Sequence, residues 1–381
     1  MDNLNHKIKK YIYNKCSLML YKLLFFSAIP FLSYSQGGDP PFPCIERDSL
    51  DKLRIQSTIK STNFKFELRP YTGLHSWGDL ISEYGNPEII GYTECYILGK
   101  DGSGDLHQIA YSQSSESGVT ISGGPFMQEF DPEVCREFAR PYIIKNKHIS
   151  SFLTAHESGE VIPAEHPHIF GWPGKNNDYF QYFNYTGIKI PKDYDLAPFI
   201  DLNNNGDYEP HKGEYPRIEG EQLVWLISNL KADSVHLSSL NNELRVSYIF
   251  PKGHDDSDKI FYLKMDYIHK GKPLYEVRHA FQSGPIIGCL WDDGYAVNSE
   301  ENLLIGTNLD AFDGSNGTCA ATSDTIFWGD PPITLTKLLK PFSKNQVECS
   351  DQFLFASGPN CTQSSVDFEI SNKWLRFQGK I

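Results

Sequence analysis

The sequence predicts a mainly β protein, an antiparallel sheet or sandwich with long ordered loops and a few short helices. Strand-like runs recur at short spacing after Glu221, at Gln222–Ile227, Glu243–Phe250, Lys259–Ile268 and Leu274–Phe281. In Val246–Phe250 and Phe261–Tyr267 the alternation of apolar and polar side chains puts one face on a core and the other in water. Residues 157–220, by contrast, are rich in Gly, Pro, Asn and Asp and have little periodicity, which reads as ordered loop.

The elements follow in chain order. Residues 1–35 read as a signal peptide. Lys7, Lys9, Lys10, Lys15 and Lys22 precede the apolar run 23–32, and the small residues Ser33 and Ser35 lie before Gln36. The run is too short to span a bilayer and Pro30 interrupts it. Cleavage is the expected fate, with an uncleaved N-terminal anchor as the alternative. Residues 36–86 read as an N-terminal lead-in. A β-rich domain is expected over 87–345, with the irregular 157–220 as its insert, and 346–381 reads as a C-terminal extension. Within the domain, Ile89–Leu98 and Leu106–Tyr111 flank the turn signal Lys100-Asp101-Gly102-Ser103-Gly104 and predict a hairpin. Asp131-Pro132-Glu133 supplies a cap, a first-turn proline and a first-turn acid, predicting a short helix through Phe138. Ser150–His156 is a second candidate helix. The insert needs either a ligand or dense aromatic packing to hold one shape.

Composition narrows the function classes. At 381 residues, with 40% hydrophobic and 13% aromatic residues, the chain can bury a substantial core and is not disordered throughout. Loss of residues 1–35 takes five lysines and one aspartate, so 35 basic and 48 acidic residues become 30 and 47, a net charge of −17. Such a surface repels phosphate backbones and anionic lipid and suits divalent cations, so no nucleic-acid partner is expected. No transmembrane segment is expected after signal cleavage. The remaining cysteines, Cys44, Cys95, Cys135, Cys289, Cys319, Cys349 and Cys361, form no C-x-x-C pair. In an exported chain they imply two or three disulfides of unassigned connectivity, with Cys349 and Cys361 close enough in sequence to staple one loop; buried free thiols are the alternative.

The feature that carries chemistry is Asp201-Leu202-Asn203-Asn204-Asn205-Gly206-Asp207-Tyr208-Glu209. Oxygen side chains at alternate positions, with Gly at the sixth, are what a hard cation needs: the loop curls round the ion and Gly takes the tight turn. The expected ion is a structural Ca²⁺ held by Asp201, Asn203, Asn205, Asp207 and Glu209, Asp207 through its backbone carbonyl. The twelfth position is Lys212 where an EF-hand has Glu, so Glu214 is the candidate closing ligand. The alternative is an Asn/Gly turn with solvated acids. The low ligand charge implies weak affinity, with Kd on the order of 10⁻⁴ M or weaker.

The stretch Leu196-Ala197-Pro198-Phe199-Ile200 running into this loop, followed by Gly213-Glu214-Tyr215-Pro216, Gly220-Glu221-Gln222 and Trp225, resembles a signature of large secreted surface proteins of Bacteroidota that use type IX secretion. Ile97–Asp101 with Gly104–His107, Gly123-Gly124-Pro125, Cys135–His156, Ile162-Pro163, Gly171-Trp172-Pro173-Gly174, Asp292-Asp293 and Asn302–Gly306 match other segments of those proteins in the same order. Asn205, Glu214 and Glu221 stand where the relatives carry Asp. No sorting domain of the relatives' kind is recognisable before Ile381, which suggests a truncated product. The resemblance implies a secreted or cell-surface location and no defined activity.

Other constellations point less clearly to chemistry. Ser122-Gly123-Gly124-Pro125 resembles a protease nucleophile turn, but Thr120-Ile121 precede it and an ordinary turn is the better reading. His156, His166 and His168 with Glu157 and Glu165 are the densest His/acid cluster, read as surface loop rather than metal site. Asp255-Asp256-Ser257-Asp258 and Asp292-Asp293-Gly294 read as acidic turns. Trp77, Trp172, Trp225, Trp291, Trp328 and Trp374 are read as core anchors before a carbohydrate platform. The expectation is therefore a secreted or cell-surface, non-enzymatic protein acting in adhesion or surface assembly on an unknown surface or matrix ligand. The alternative is a carbohydrate-binding module or glycoside hydrolase, with paired carboxylates across a Trp-lined cleft.

Overall fold

Antiparallel pairing organises every sheet whose register is seen in the computed structural model, as the alternating pattern predicts. The structure describes Cys44, the strands between 58 and 90, residues 92–110, 119–191, 194–232, 240–252 and 260–284, the strands between 293 and 337, and Leu339. The signal-peptide reading of 1–35, the 346–381 extension, the acidic turn at 255–258, Trp291, Trp328, Trp374, Cys289, Cys319, Cys349 and Cys361 lie outside the described residues. So do the side chains of Trp77 and Cys95.

The chain divides into two compact units, one holding 40–82 and 90–284 and the other including 285–381. In the first, β1 (Thr58–Lys60), β2 (Phe64–Leu68) and β3 (Ser76–Leu80) pair in sequence order within the stretch read as lead-in. After the short strand β4 (Glu88–Ile90), β5 (Tyr92–Lys100) and β6 (Leu106–Ala110) form the expected hairpin. Its turn is closed by Asp101, whose Oδ1 accepts from the Ser103 and Asp105 amides at 2.8 and 3.1 Å. Asp101 Oδ2 lies 3.0 Å from His107 Nε2, and that contact is the main cause of a carboxyl held below the usual range.

The site is built on a second sheet. β7 (Val119–Gly123) and β8 (Tyr142–Lys145) lie end to end along one edge of the long strand β9 (Gln222–Ala232), and β10 (Asn242–Phe250) pairs with its other edge. β11 (Tyr262–His269) continues the sheet beyond β10, and β12 (Tyr275–Gly284) pairs with β5. The strands after Glu221 thus appear where expected, but Val246–Phe250 is buried along its whole length: both faces of this interior strand are covered, where the alternation put one in water. In β9, Leu223, Trp225 and Ile227 alternate with Val224 and Leu226, and all five are buried, so both faces are covered.

Two helices pack beside this sheet. α1 (Pro132–Phe138) begins as expected, with Asp131 Oδ1 accepting from the Glu133 and Val134 amides. α2 (Asn146–Ser158) is longer at both ends than Ser150–His156, because β8 leads straight into it. Cys135 of α1 is disulfide-bonded to Cys44.

Residues 157–220 hold short turns of helix, α3 (Pro167–Phe170) and α4 (Phe180–Phe183), and little other regular structure. Dense aromatic packing orders them. Phe138, Tyr142, Phe152, Phe170, Trp172, Phe180, Tyr208 and Trp225 share one core. Tyr142, from β8, is its hub: its ring centroid lies 6.0 Å from Trp225, 6.2 Å from Phe180 and 5.7 Å from Phe138. Polar groups are spent locally. Buried Asn177 donates through Nδ2 to the Phe170 and Trp172 carbonyls, both at 2.8 Å, and Trp172 Nε1 donates to Pro198 O at 3.0 Å.

In the other unit, β13 (Asp293–Asn298), β14 (Leu303–Asn308) and β15 (Ile333–Lys337) form an antiparallel meander. Asp293 and Gly294 therefore begin a strand, where a turn was expected: backbone pairing with Asn308 and Thr307 overrides their local turn preference.

Candidate functional site

The Asn/Asp loop sits at the edge of the aromatic core, between two short bridged segments. Phe199-Ile200 pairs with Tyr215-Pro216, closing the 201–214 segment at its base. Inside it the chain curls through two left-handed residues, Asn204 at φ 58° and Gly206 at φ 80°, a region Asn tolerates and Gly occupies freely.

The first loop carboxylate faces inward. Asp201 Oδ2 accepts from the Gly206 amide at 2.8 Å and its Oδ1 from the Asn205 amide at 3.3 Å. Asn203 Oδ1 accepts from the Asn205 amide at 3.0 Å, and Asn205 Oδ1 from the Asp207 amide at 2.9 Å. Both asparagine amides, through Nδ2, then donate to Glu209 Oε2, at 2.8 Å from Asn203 and 2.7 Å from Asn205. Glu209 Oε1 pairs with Lys212 at 2.6 Å. Lys212 first, and Asn203 next, hold the Glu209 carboxyl at about 2, so it stays ionised through the physiological range. Asp207 accepts from Asn176 Nδ2 at 2.7 Å.

Glu214 is the most informative member. It is fully buried, and its two oxygens clamp opposite ends of the loop: Oε1 accepts from the Leu202 amide at 3.1 Å and Oε2 from the Glu209 amide at 2.7 Å. Beside it Tyr208 buries its ring, and its hydroxyl donates to Ile169 O at 2.9 Å. Burial, and then the nearby Glu214 charge, push the Tyr208 phenol well above its ordinary value.

All six residues read from the sequence thus belong to one hydrogen-bonded loop. Among the described residues, no three or more His, Cys, Asp or Glu side chains converge in a metal-holding arrangement. Glu209 is turned to Lys212 and Asp207 to Asn176. Tyr208 and Asn176 take part in the loop and were missed from sequence; the eighth-position aromatic was the available signal for Tyr208, whereas Asn176 comes from a distant segment.

The histidine cluster is partly reassigned. His166, His168 and Glu165 line a cavity of about 250 Å³ with His148 and Lys147, while His156 packs on Phe152. The His148 and His168 rings stack in parallel, with centroids 4.0 Å apart and planes within 1°. Lone pairs on parallel rings do not converge on one ion at the ~2 Å that imidazole ligation needs. Burial, then the His168, Lys147 and Lys145 charges, lower His148 from 6.5 to about 4, and burial lowers His168 as well. The unfolded chain therefore binds more protons between pH 6.5 and 4, so stability falls as pH drops through that window and the loss is complete below it. His148 is only half-buried, so solvent screening limits its share to about 1 kcal/mol. His148→Phe keeps a flat ring without the titration, and its melting temperature should vary less with pH across this window than the wild type's.

Ser122 lies on β7, not in a turn; the turn comes at Gly124, because Ser122 is paired with Asn229 across the sheet. Its buried hydroxyl donates to Asn229 Oδ1 at 3.1 Å. Trp172 and Trp225 are core residues 6.4 Å apart, as the anchor reading expects. No family model, curated protein or solved structure matches this chain. Among the described residues, no helix is long and apolar enough to cross a membrane.

Proposed function

We propose that this chain is an exported, non-enzymatic protein of the cell surface or medium, acting in adhesion or surface assembly on a surface or matrix ligand, with a structural Ca²⁺ in the 201–214 loop. Glu214 carries the calcium reading. It is a carboxylate at 0% exposure that accepts two backbone amides and has no basic side chain within ion-pair distance among the described residues. A buried charge of this kind is costly unless a counter-charge compensates it, and a hard cation bound by neighbouring oxygens supplies one. Asp201 and Glu209 add carboxylates, Asp207 its backbone carbonyl, and Asn203 and Asn205 add amide oxygens once their Nδ2 groups turn from Glu209. This all-oxygen set suits Ca²⁺. Export is supported by the basic-then-apolar N-terminal segment, the acidic balance and the Cys44–Cys135 disulfide. The surface location also draws on the resemblance around Leu196–Trp225.

Thermal melts with and without millimolar Ca²⁺ test the ion. With free Ca²⁺ at roughly ten times Kd, binding to the folded state alone stabilises by about 1.4 kcal/mol, which raises the melting temperature by a few degrees. Asp201→Ala should abolish the shift. An unchanged wild-type melt at millimolar Ca²⁺ removes the ion from the account.

A further inference from the structure

We infer that Asn205 is a deamidation site whose rate is set by the Asp201 carboxylate. The Asn205-Gly206 dipeptide is the chemically favourable pair, because Gly presents no side chain to hinder attack by its own amide nitrogen on the preceding Asn Cγ. The residue is exposed, so water reaches it. In the reaction, Gly206 N loses its proton and bonds to Asn205 Cγ, the Cγ–Nδ2 bond breaks, and ammonia leaves. Water then opens the cyclic imide. Cleavage at Cγ gives Asp, and cleavage at the main-chain carbonyl gives isoaspartate. No oxidant or reductant is involved.

The folded loop holds each reacting atom back. Gly206 N–H is engaged by Asp201 Oδ2 at 2.8 Å, and a carboxylate there opposes the deprotonation that attack requires. Asn205 Nδ2, the leaving nitrogen, is anchored on Glu209 Oε2 at 2.7 Å. Asn205 Oδ1 accepts from the Asp207 amide at 2.9 Å, which polarises Cγ and holds the side chain in one rotamer. The carbonyl is thus polarised while the attacking N–H and the leaving nitrogen are each tied to a carboxylate, and opening the loop releases both. Neighbouring Asn203 and Asn204 are each followed by Asn, whose side chain hinders the same attack.

The product places a further carboxylate at the loop's fifth position, so a cation would be held more tightly. That consequence rests on the calcium reading; the chemistry at Asn205 does not.

The test ages the full chain at mildly alkaline pH in buffer, in buffer with Ca²⁺ and in urea, and follows the tryptic peptide 193–212 by fragmentation mass spectrometry. Conversion at Asn205 should be several-fold faster in urea than in buffer, and faster in native Asp201→Ala than in native wild type. Asp201→Asn, which keeps the side chain's shape while removing its charge, should lie between them. Equal rates in buffer and urea overturn the gating, and no conversion at Asn205 in urea overturns the site. Asn205→Asp, melted with Ca²⁺, reads the ion separately. A larger shift than wild type supports the tighter binding, and no calcium shift in either protein overturns the ion's part while leaving the deamidation result intact.

Discussion

Glu137→Ala should unfold the protein at markedly lower denaturant, with a loss of about 3–5 kcal/mol, the range for removing one partner of a buried charge network. The side chain is fully buried at the end of α1. Its Oε1 accepts from the Arg140 guanidinium and from Tyr142 OH at 2.9 Å. Its Oε2 accepts from the Tyr185 and Thr186 amides at 2.8 and 3.0 Å, and from Thr186 Oγ1 at 3.3 Å. One carboxylate therefore ties α1, the start of β8 and the segment after α4. Truncation strands the Tyr142 hydroxyl in the core and leaves two backbone amides without their acceptor. It also leaves Arg140, which lies 5.2 Å over the Tyr142 ring, without its anion. Glu137→Gln should recover little, since its Nε2 must face a donor whichever way the amide turns. Urea unfolding followed by near-ultraviolet circular dichroism checks this directly, because Tyr142 and Trp225 report on the same core. A loss under 1 kcal/mol would show that Arg140 and the 185–186 amides are solvated instead.

Glu137 also marks where sequence reasoning stopped. The helix itself was legible, since Asp131-Pro132-Glu133 is a local signal and local hydrogen bonds to Asp131 Oδ1 decide it. Nothing local distinguishes Glu137 from the exposed Glu133 one turn earlier; its partners at 185 and 186 lie almost fifty residues away. The sheet was legible for a related reason, because alternation in 246–250 and 261–267 is a property of each strand alone. Its arrangement was not: β7 and β8 share one edge of β9, a choice made by tertiary packing of Tyr142 on Trp225. For the candidate site, the alternating oxygens announced the loop and its left-handed turn. The inward clamp by Glu214 was foreseen only as a possible closing ligand, and the Lys212–Glu209 pair was not foreseen. His148 was invisible because its partner, His168, arrives from another element.

Tyr208→Ala should cost about 3–5 kcal/mol, the range for deleting a fully buried large aromatic, and should uncouple the loop from the core. Tyr208 is the eighth residue of the Asn/Asp loop, yet it packs inward. Its ring lies 5.2 Å from Phe199, its amide donates to Lys175 O at 2.7 Å, and its hydroxyl reaches Ile169 O. Gly174 makes room for it: a Cβ there would stand 2.6 Å from Tyr208 Cβ and Cγ, which is shorter than any real contact. Gly174→Ala should therefore destabilise through overpacking by about 1–3 kcal/mol without touching a loop oxygen. The comparison separates two sources of order. If aromatic burial shapes the loop and the ion only adds to it, Tyr208→Ala loses both the core stability and the calcium shift, whereas Asp201→Ala loses the shift alone. If the ion dominates, Tyr208→Ala regains most of its melting temperature when Ca²⁺ is raised. The hydrogen bonds favour the first outcome, because Asp201, Glu209 and Glu214 already close the loop on its own amides while Tyr208 fastens that closed loop to Ile169 and Lys175.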